Sequence, residues 1–358
     1  SLRLSILFIF FLCLIFSRLP FINYPSNGIP LNIDKVINIF LLLAWFLAGI
    51  SFLSAEIPFL VLLQGVVDYK DIEFPPLISV ICQSVALFGA CLSSLNLLNS
   101  ASPKKILYLL LFLLIFVAFV GRGIFVVWAL FSISIYINLR LRINLAGLKR
   151  ILRLSVLGII FIATFGFIGE FRSNNNVNFN RAGELNESVI RYLAEPTSEF
   201  DATGLPDSFL WLYVYGISPL ANLQSLDKRL NTGNIGEFSI SFVPDFMTRI
   251  LGIDRVKAKN HLVNDFFNTS TGFAPGVSAF GIFGIFLTTI IMLSLIYFSI
   301  IVLNASVYRE VYVALCSALF ANMWFANLFV KDIYFFTLVI AFIMAYIGER
   351  IVVFKKTK

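Results

Sequence analysis

The chain has 358 residues, of which 59% are hydrophobic and 16% aromatic, and its mean hydropathy is +0.91. That composition excludes an ordinary soluble domain and a disordered chain, since several apolar runs approach the ~20 residues that cross a bilayer. The net charge of +7 does not mark a nucleic-acid-binding face. Residues 171–274 hold nine Lys/Arg against eleven Asp/Glu, so of the chain's 27 and 20 the remainder carries 18 against 9. That excess lies in short loops between apolar runs, as the positive-inside rule describes.

Apolar runs predict spans at 4–17, 36–54, 76–98, 106–121, 124–139, 154–170, 277–303, 310–329 and 333–350. The first reads as a span and not as a signal peptide, because no small-residue cleavage site follows SRLPFINYP. Extending the second to residue 67 would make a helix of about 48 Å, too long for one ~30 Å core. Glu56 and Pro58 interrupt it, so IPFLVLLQGVV reads as a short tenth span or a re-entrant piece. A tenth span would put Arg3 inside. Lys104 and Lys105 mark one cytoplasmic loop, and Arg140, Arg142, Lys149, Arg150 and Arg153 mark the next. Arg350, Lys355, Lys356 and Lys358 mark the C-terminus. Counting outward from these anchors places 171–276 on the extracytoplasmic side.

The expected fold is therefore all-α, a polytopic transmembrane helix bundle of nine or ten spans with one large extracytoplasmic helical loop. Residues 1–170 form the N-terminal transmembrane bundle, 171–276 the external loop, and 277–358 the C-terminal transmembrane helices. Cys13, Cys82, Cys91 and Cys316 fall inside apolar runs without CxxC or Cys/His grouping, and read as small buried side chains.

The external segment is too polar to span and too rich in Leu, Phe, Tyr and Trp to be disordered. Residues 182–194 put Leu185, Val189 and Leu193 on one stripe, with Glu184, Glu187, Ser188 and Arg191 opposite, and Pro196 ends that helix. In SPLANLQSLDKRL (218–230), Ser218 reads as an N-cap and Pro219 as the first helical residue. FVPDFMTRILG predicts a short helix stopping at Gly252, and a last one covers roughly 256–267. That much ordered structure on a membrane face exceeds what a connection needs.

Several residues there suit chemistry, each with a plainer alternative. Arg122, in VGRGIF, is an interfacial snorkelling side chain or an anion site whose flanking glycines let a phosphate approach the backbone. Arg172, Arg181 and Arg191 would place three cations near the headgroup plane, suited to a pyrophosphate. Arg191 is also spaced to pair locally with Glu187. His261 and Asp265 share a helical face at i,i+4, the arrangement of a carboxylate-oriented general base or of a solvated surface. Glu184 and Asp245 are alternative carboxylates for the base. Trp211, Tyr213 and Tyr215 alternate as an interfacial belt does, and could equally stack against sugars. Asn322, Asn327, Lys331 and Asp332 sit at the outer end of a late span, as helix glue or cavity wall. No P-loop, HExxH, GxSxG or DxD is present. This argues against an ATP-driven pump, a zinc protease and a metal-dependent glycosyltransferase.

The order of these pieces resembles the Wzy-type O-antigen (oligosaccharide repeat-unit) polymerases, with the O-antigen ligases as cousins. The matching residues are GR at 121–122, FR at 171–172, RAGELNESVIRY, YGISPLANLQSL at 215–226 and NTSTGFAPGVSAFGIFGIF at 268–286. Arg172 and Gly183 are spaced as the RX10G loop motif of that family. The resemblance covers roughly 106–290. It implies a GT-C-like bundle in the bacterial inner membrane, multi-pass, with the active site facing the periplasm. It implies transfer of a glycan from undecaprenyl pyrophosphate to the non-reducing-end hydroxyl of another lipid-linked repeat unit, with inversion, and neither cofactor nor metal. Arg122, Arg172, Arg181 and Arg191 would then bind pyrophosphate. His261, with Asp265 or Glu184, would be catalytic, and Trp211, Tyr213 and Tyr215 would bind glycan. The ligases carry a histidine in an HN-type motif, whereas here His261 is followed by Leu262. Beyond the undecaprenyl-pyrophosphate-linked oligosaccharide and membrane lipids, the implied partners are a chain-length regulator protein and a repeat-unit flippase, with no nucleic acid. A ligase with the same donor, a lipid or glycan transporter, and a structural scaffold are the other readings.

Overall fold

In the computed structural model, the residues described are 33–64, 74–100, 102–119, 121–140, 190–191, 198, 203–204, 207–228, 235–253, 271–303 and 306–356. The expected spans at 4–17 and 154–170, the helix at 256–267, most of that at 182–194, and Cys13 lie outside them. Among the described residues every regular element is helical, and no strand occurs. In chain order the helices are α1 (Ile33–Ser54), α2 (Pro58–Gln64), α3 (Pro76–Asn99), α4 (Pro103–Ala118), α5 (Arg122–Arg140) and α6 (Asp207–Lys228). They continue with α7 (Ile235–Ile240), α8 (Asp245–Ile250), α9 (Ala274–Phe280), α10 (Phe283–Val302), α11 (Val307–Ala321) and α12 (Asp332–Lys356). Two 3-10 turns, Asn322–Trp324 and Leu328–Val330, join α11 to α12.

Three of these are long and apolar enough to cross a membrane: α1, α3 over Pro76–Leu98, and α10. Composition alone does not make them equivalent. In α3, 72% of the apolar window is buried by the rest of the protein, against 28% in α1 and 33% in α10. Its sequence explains the difference. Ser79, Cys82, Ser84, Ala86, Gly89, Ala90, Cys91, Ser93 and Ser94 keep the helix slim, so neighbours approach closely from every side. Gly89 has no room for a side chain, since an added Cβ would run into the Phe112 ring of α4.

Several polar atoms of α3 are answered across helices. Ser84 Oγ donates to Ile333 O of α12 at 2.8 Å, and Thr337 Oγ1 donates back to Ser84 O at 3.4 Å. Trp128 Nε1 of α5 donates to Ser94 Oγ at 2.8 Å, and Asn96 Nδ2 to Asp34 Oδ1 of α1 at 2.6 Å. Cys82, Cys91 and Cys316 are buried free thiols, as their apolar settings predict.

The Asp34–Asn96 bond pairs the start of α1 with the end of α3, so the two run antiparallel. We call the end at which α3 starts the upper end. Lys105 Nζ reaches Asn96 O at 3.3 Å, which puts the start of α4 at the lower end. Ser102 caps α4 there by accepting from Lys105 N, with Pro103 in the first turn. Alternation then brings the first residue of α5, Arg122, back toward the upper end.

Several expected boundaries move. The predicted span 277–303 is two elements, because Gly281 takes a left-handed turn at φ 60° between α9 and α10. Gly276 and Gly284 then lie backbone to backbone, and a Cβ on Gly284 would overlap the Gly276 carbonyl. The span 310–329 stops at Ala321. Of the expected short span IPFLVLLQGVV, helix α2 covers Pro58–Gln64, and the last three residues of that span, 65–67, lie outside the described residues. The helix expected to begin at Ser218 is instead the second half of α6, with Pro219 inside it. Proline there removes one helical hydrogen bond without ending the helix. Helix α8 and its stop at Gly252, φ 64°, follow the sequence reading.

Candidate functional site

Where does the upper end concentrate polar groups? Ser84, nine residues into α3, bonds to Ile333, the second residue of α12. At 1.5 Å per residue, α12 therefore starts about 12 Å below the first residue of α3. The start of α5 lies beside it, since a Cβ placed on Gly123 would come within 2.7 Å of Tyr334 Oη. Arg122 and the pair Lys331–Asp332 thus belong to one recessed neighbourhood. Gly121 shapes the turn into it: its N–H donates to Phe116 O at 2.9 Å, and its carbonyl accepts from Ile124 N at 3.0 Å. At Gly123 the absence of a side chain makes room for the Tyr334 hydroxyl. Of Arg122 itself the structure describes only the backbone, as the first residue of α5.

Helix α8 closes over Lys331 and Asp332. Phe246 N donates to Asp332 Oδ1 at 2.8 Å, Arg249 forms an ion pair with the other carboxylate oxygen, and Lys331 Nζ meets Asp245 Oδ2 at 3.0 Å. The aromatic ring of Phe246 seals the contact against Phe335 and Phe336, with centroids 5.5 and 5.2 Å away. Asp332 is 10% exposed and Arg249 66%, so the carboxylates face inward and the cationic heads outward. Asn327 Nδ2 donates to Ser241 O at 3.1 Å, which anchors the approach to α8. The N–H of Gly272 donates to Met323 O at 2.8 Å, bringing Thr271 to the same connector. Thr271 Oγ1 and Asn327 Oδ1 are buried with no hydrogen-bond partner, which marks this part of the recess as a place for a polar group or water. Asn322 bonds back to Ala318 O of its own helix at 3.0 Å and is glue.

Below this lid, between α10, α11 and α12, lies an apolar cavity of ≈ 210 Å³. Phe242, Pro244 and Val330 line it from above, and Met292, Ile296 and Tyr312 from the helices.

The other sequence candidates separate. Arg191 Nε lies 2.8 Å from Asp207 Oδ1, the first residue of α6. Trp211 is 4% exposed and packs with Ile190 and Leu210, whereas Tyr213 is 60% exposed. Alternation would have given these aromatics a shared face; in a helix, residues two apart diverge. Tyr215 is described by its backbone in α6. Arg172, Arg181, Glu184, His261 and Asp265 lie outside the described residues.

Arg249 and Tyr334 escaped the sequence reading. Arg249 looks like an ordinary basic residue closing a short helix, and Tyr334 like one more aromatic in an apolar span. The spacing Asp245-x3-Arg249, one helical turn, was the available sign that two charges of opposite sign share a face.

No protein-family model, curated protein or solved structure matches this chain. The described residues therefore form an all-helical arrangement with helices fit to cross a membrane and a recessed, charged neighbourhood at one end of the bundle.

Proposed function

We propose that the protein is a polymerase of lipid-linked oligosaccharide repeat units, acting at the outer face of the bacterial inner membrane. The observation that carries this reading is the meeting, at one end of the bundle, of the Gly121-Arg122-Gly123 turn with the Lys331–Asp332 pair and its lid α8. With the basic residues Lys104, Lys105 and Arg140 toward the cytoplasm, that end faces the periplasm.

In the reaction, the acceptor sugar hydroxyl attacks the anomeric carbon of the donor glycan from the side opposite the leaving group. The new C–O bond forms as the anomeric bond to undecaprenyl pyrophosphate breaks, and the electron pair leaves with the pyrophosphate. His261, oriented by Asp265, accepts the hydroxyl proton, with Glu184 as the alternative carboxylate. Arg122, Arg172, Arg181 and Arg191 stabilise the growing negative charge, a term whose loss typically costs about 10²–10³ in rate. Tyr213, exposed on α6, is available to a sugar ring, Trp211 only if α6 rearranges, and Tyr215 completes the glycan-binding set. The bundle is of the GT-C-like kind, and a chain-length regulator and a flippase are its proposed partners.

Purified protein incubated with a synthetic undecaprenyl-pyrophosphate repeat unit, without nucleotide, should yield a ladder of longer lipid-linked glycans on a gel. Product formed only after adding lipid A–core would make the protein a ligase with the same donor. Folded protein inactive toward both acceptors would overturn transferase chemistry and favour a transporter.

A further inference from the structure

Helix α8 has its polarity reversed. Asp245, Phe246 and Thr248 face the protein, where the charges at its two ends find partners in Lys331 and Asp332 at the start of α12. The positions one turn apart on the other side are Met247, Ile250 and Leu251, and these are 41%, 78% and 61% exposed. A surface helix in water buries its apolar stripe and exposes its polar one. An exposed stripe of three large aliphatic side chains beside an inward-facing ion pair fits an apolar surrounding instead.

The depth of α8 says which surrounding. Its N-terminus is bonded to Asp332, the residue at which the apolar stretch Asp332–Ile347 begins. That level is about 12 Å along α3 from its first residue. Helix α3, with 24 residues, is about 36 Å long, so at most a few ångströms of it extend beyond a ~30 Å core at either end when the excess is shared. The level of Asp332 therefore falls within the apolar zone. Laterally, Phe242 and Pro244, just before α8, roof the cavity whose other walls are α10, α11 and α12. On α10 itself, Phe298, which does not line that cavity, is 70% exposed and gives the helix an outward apolar face.

We infer that α8 is inserted into the membrane, with Met247, Ile250 and Leu251 lodged among the acyl chains of the upper leaflet and Arg249 reaching toward the headgroups. The partner of this surface is the lipid bilayer itself. Such insertion is available to a short amphipathic segment when the protein fixes its depth, and the contacts at Asp332 and Lys331 fix it here. In this arrangement the lid over the recess is held on one side by ion pairs and on the other by lipid. The inference depends on α10 and α12 lying in a membrane and is independent of the reaction proposed above.

Nitroxide labels at Ile250→Cys and Leu251→Cys, in the full chain reconstituted in phospholipid nanodiscs with Cys13→Ala, would test it. A label at Phe298→Cys on α10 serves as the lipid-facing reference. Collisions with oxygen should exceed those with a water-soluble nickel chelate at both lid positions, as at position 298. Nickel collisions in excess at 250 and 251, with oxygen still dominant at 298, would put α8 in a water-filled recess and overturn the inference. Low accessibility to both reagents would mean that another part of the chain covers the stripe, which overturns it equally. Loss of the oxygen excess at 298 would show that α10 does not face lipid, and the membrane placement would fall with it.

Discussion

Helix α3 and helix α8 both carry polar and apolar side chains, and they place them oppositely. Around α3, serine, asparagine and cysteine side chains meet neighbouring helices through scattered hydrogen bonds, while the apolar residues beside them fill the same interior. At α8, two opposite-charge pairs and a backbone N–H hold the inner side, and the aliphatic residues point away. The first arrangement depends on shape, because slim residues let four neighbours crowd one helix. The second depends on charge, because a six-residue helix buries too little area to hold itself. A packed region of this kind should respond to added volume, and a clamped one to lost charge.

The largest effect is expected from volume. Gly89→Leu would drive a side chain into the Phe112 ring and cost about 3 kcal/mol. Its unfolding midpoint in detergent should fall furthest; an unchanged midpoint would mean that α3 and α4 are not in close contact. Next comes Asp332→Ala, which removes both the acceptor for Phe246 N and the partner of Arg249, and should cost about 2 kcal/mol. That loss should show as faster hydrogen exchange confined to residues 245–250, and exchange spreading through α3 would erase the contrast between the two regions. Asn96→Ala, which removes one interhelical hydrogen bond, should cost only about 0.6 kcal/mol. Smallest is Arg249→Ala, whose guanidinium is mostly exposed, at about 0.5 kcal/mol or less. A larger loss there than at Asp332 would show that the cation, and not the carboxylate, organises the lid.

Much of the bundle was legible in the sequence, for identifiable reasons. Helices α1, α3, α4 and α5 begin and end within three residues of the expected spans, because uninterrupted Leu, Ile and Phe runs leave few alternatives, whereas α12 starts as expected and runs on to Lys356. The errors occur where apolar composition hides a backbone event. GVSAFGIFG reads as continuous span, yet Gly276, Gly281 and Gly284 serve a turn and a close backbone contact. Ser218-Pro219 reads as a helix start, yet α6 continues through it, held by Leu210 and Trp211 on one side and Leu223 and Leu226 in the core. The recess was less legible. Arg122, Lys331 and Asp332 each stood out, but it takes tertiary contacts such as the bond from Ser84 to Ile333 and the fit of Gly123 against Tyr334 to relate segments more than 200 residues apart. Asp245 was weighed as a base, and its partner Lys331 as cavity wall. Their pairing is a tertiary fact with no local sequence signal.

The measurement closest to the central claim compares wild-type protein with Arg122→Ala and Arg122→Lys in the polymer-ladder assay, with folding checked by gel filtration. If the upper recess is where the pyrophosphate leaves, Arg122→Ala should lose about 10²–10³ of the wild-type rate. Lysine, which keeps the charge but not the bidentate geometry, should recover only part of it. A full ladder at wild-type rate from Arg122→Ala would contradict the account, because the chemistry would then lie away from the recess.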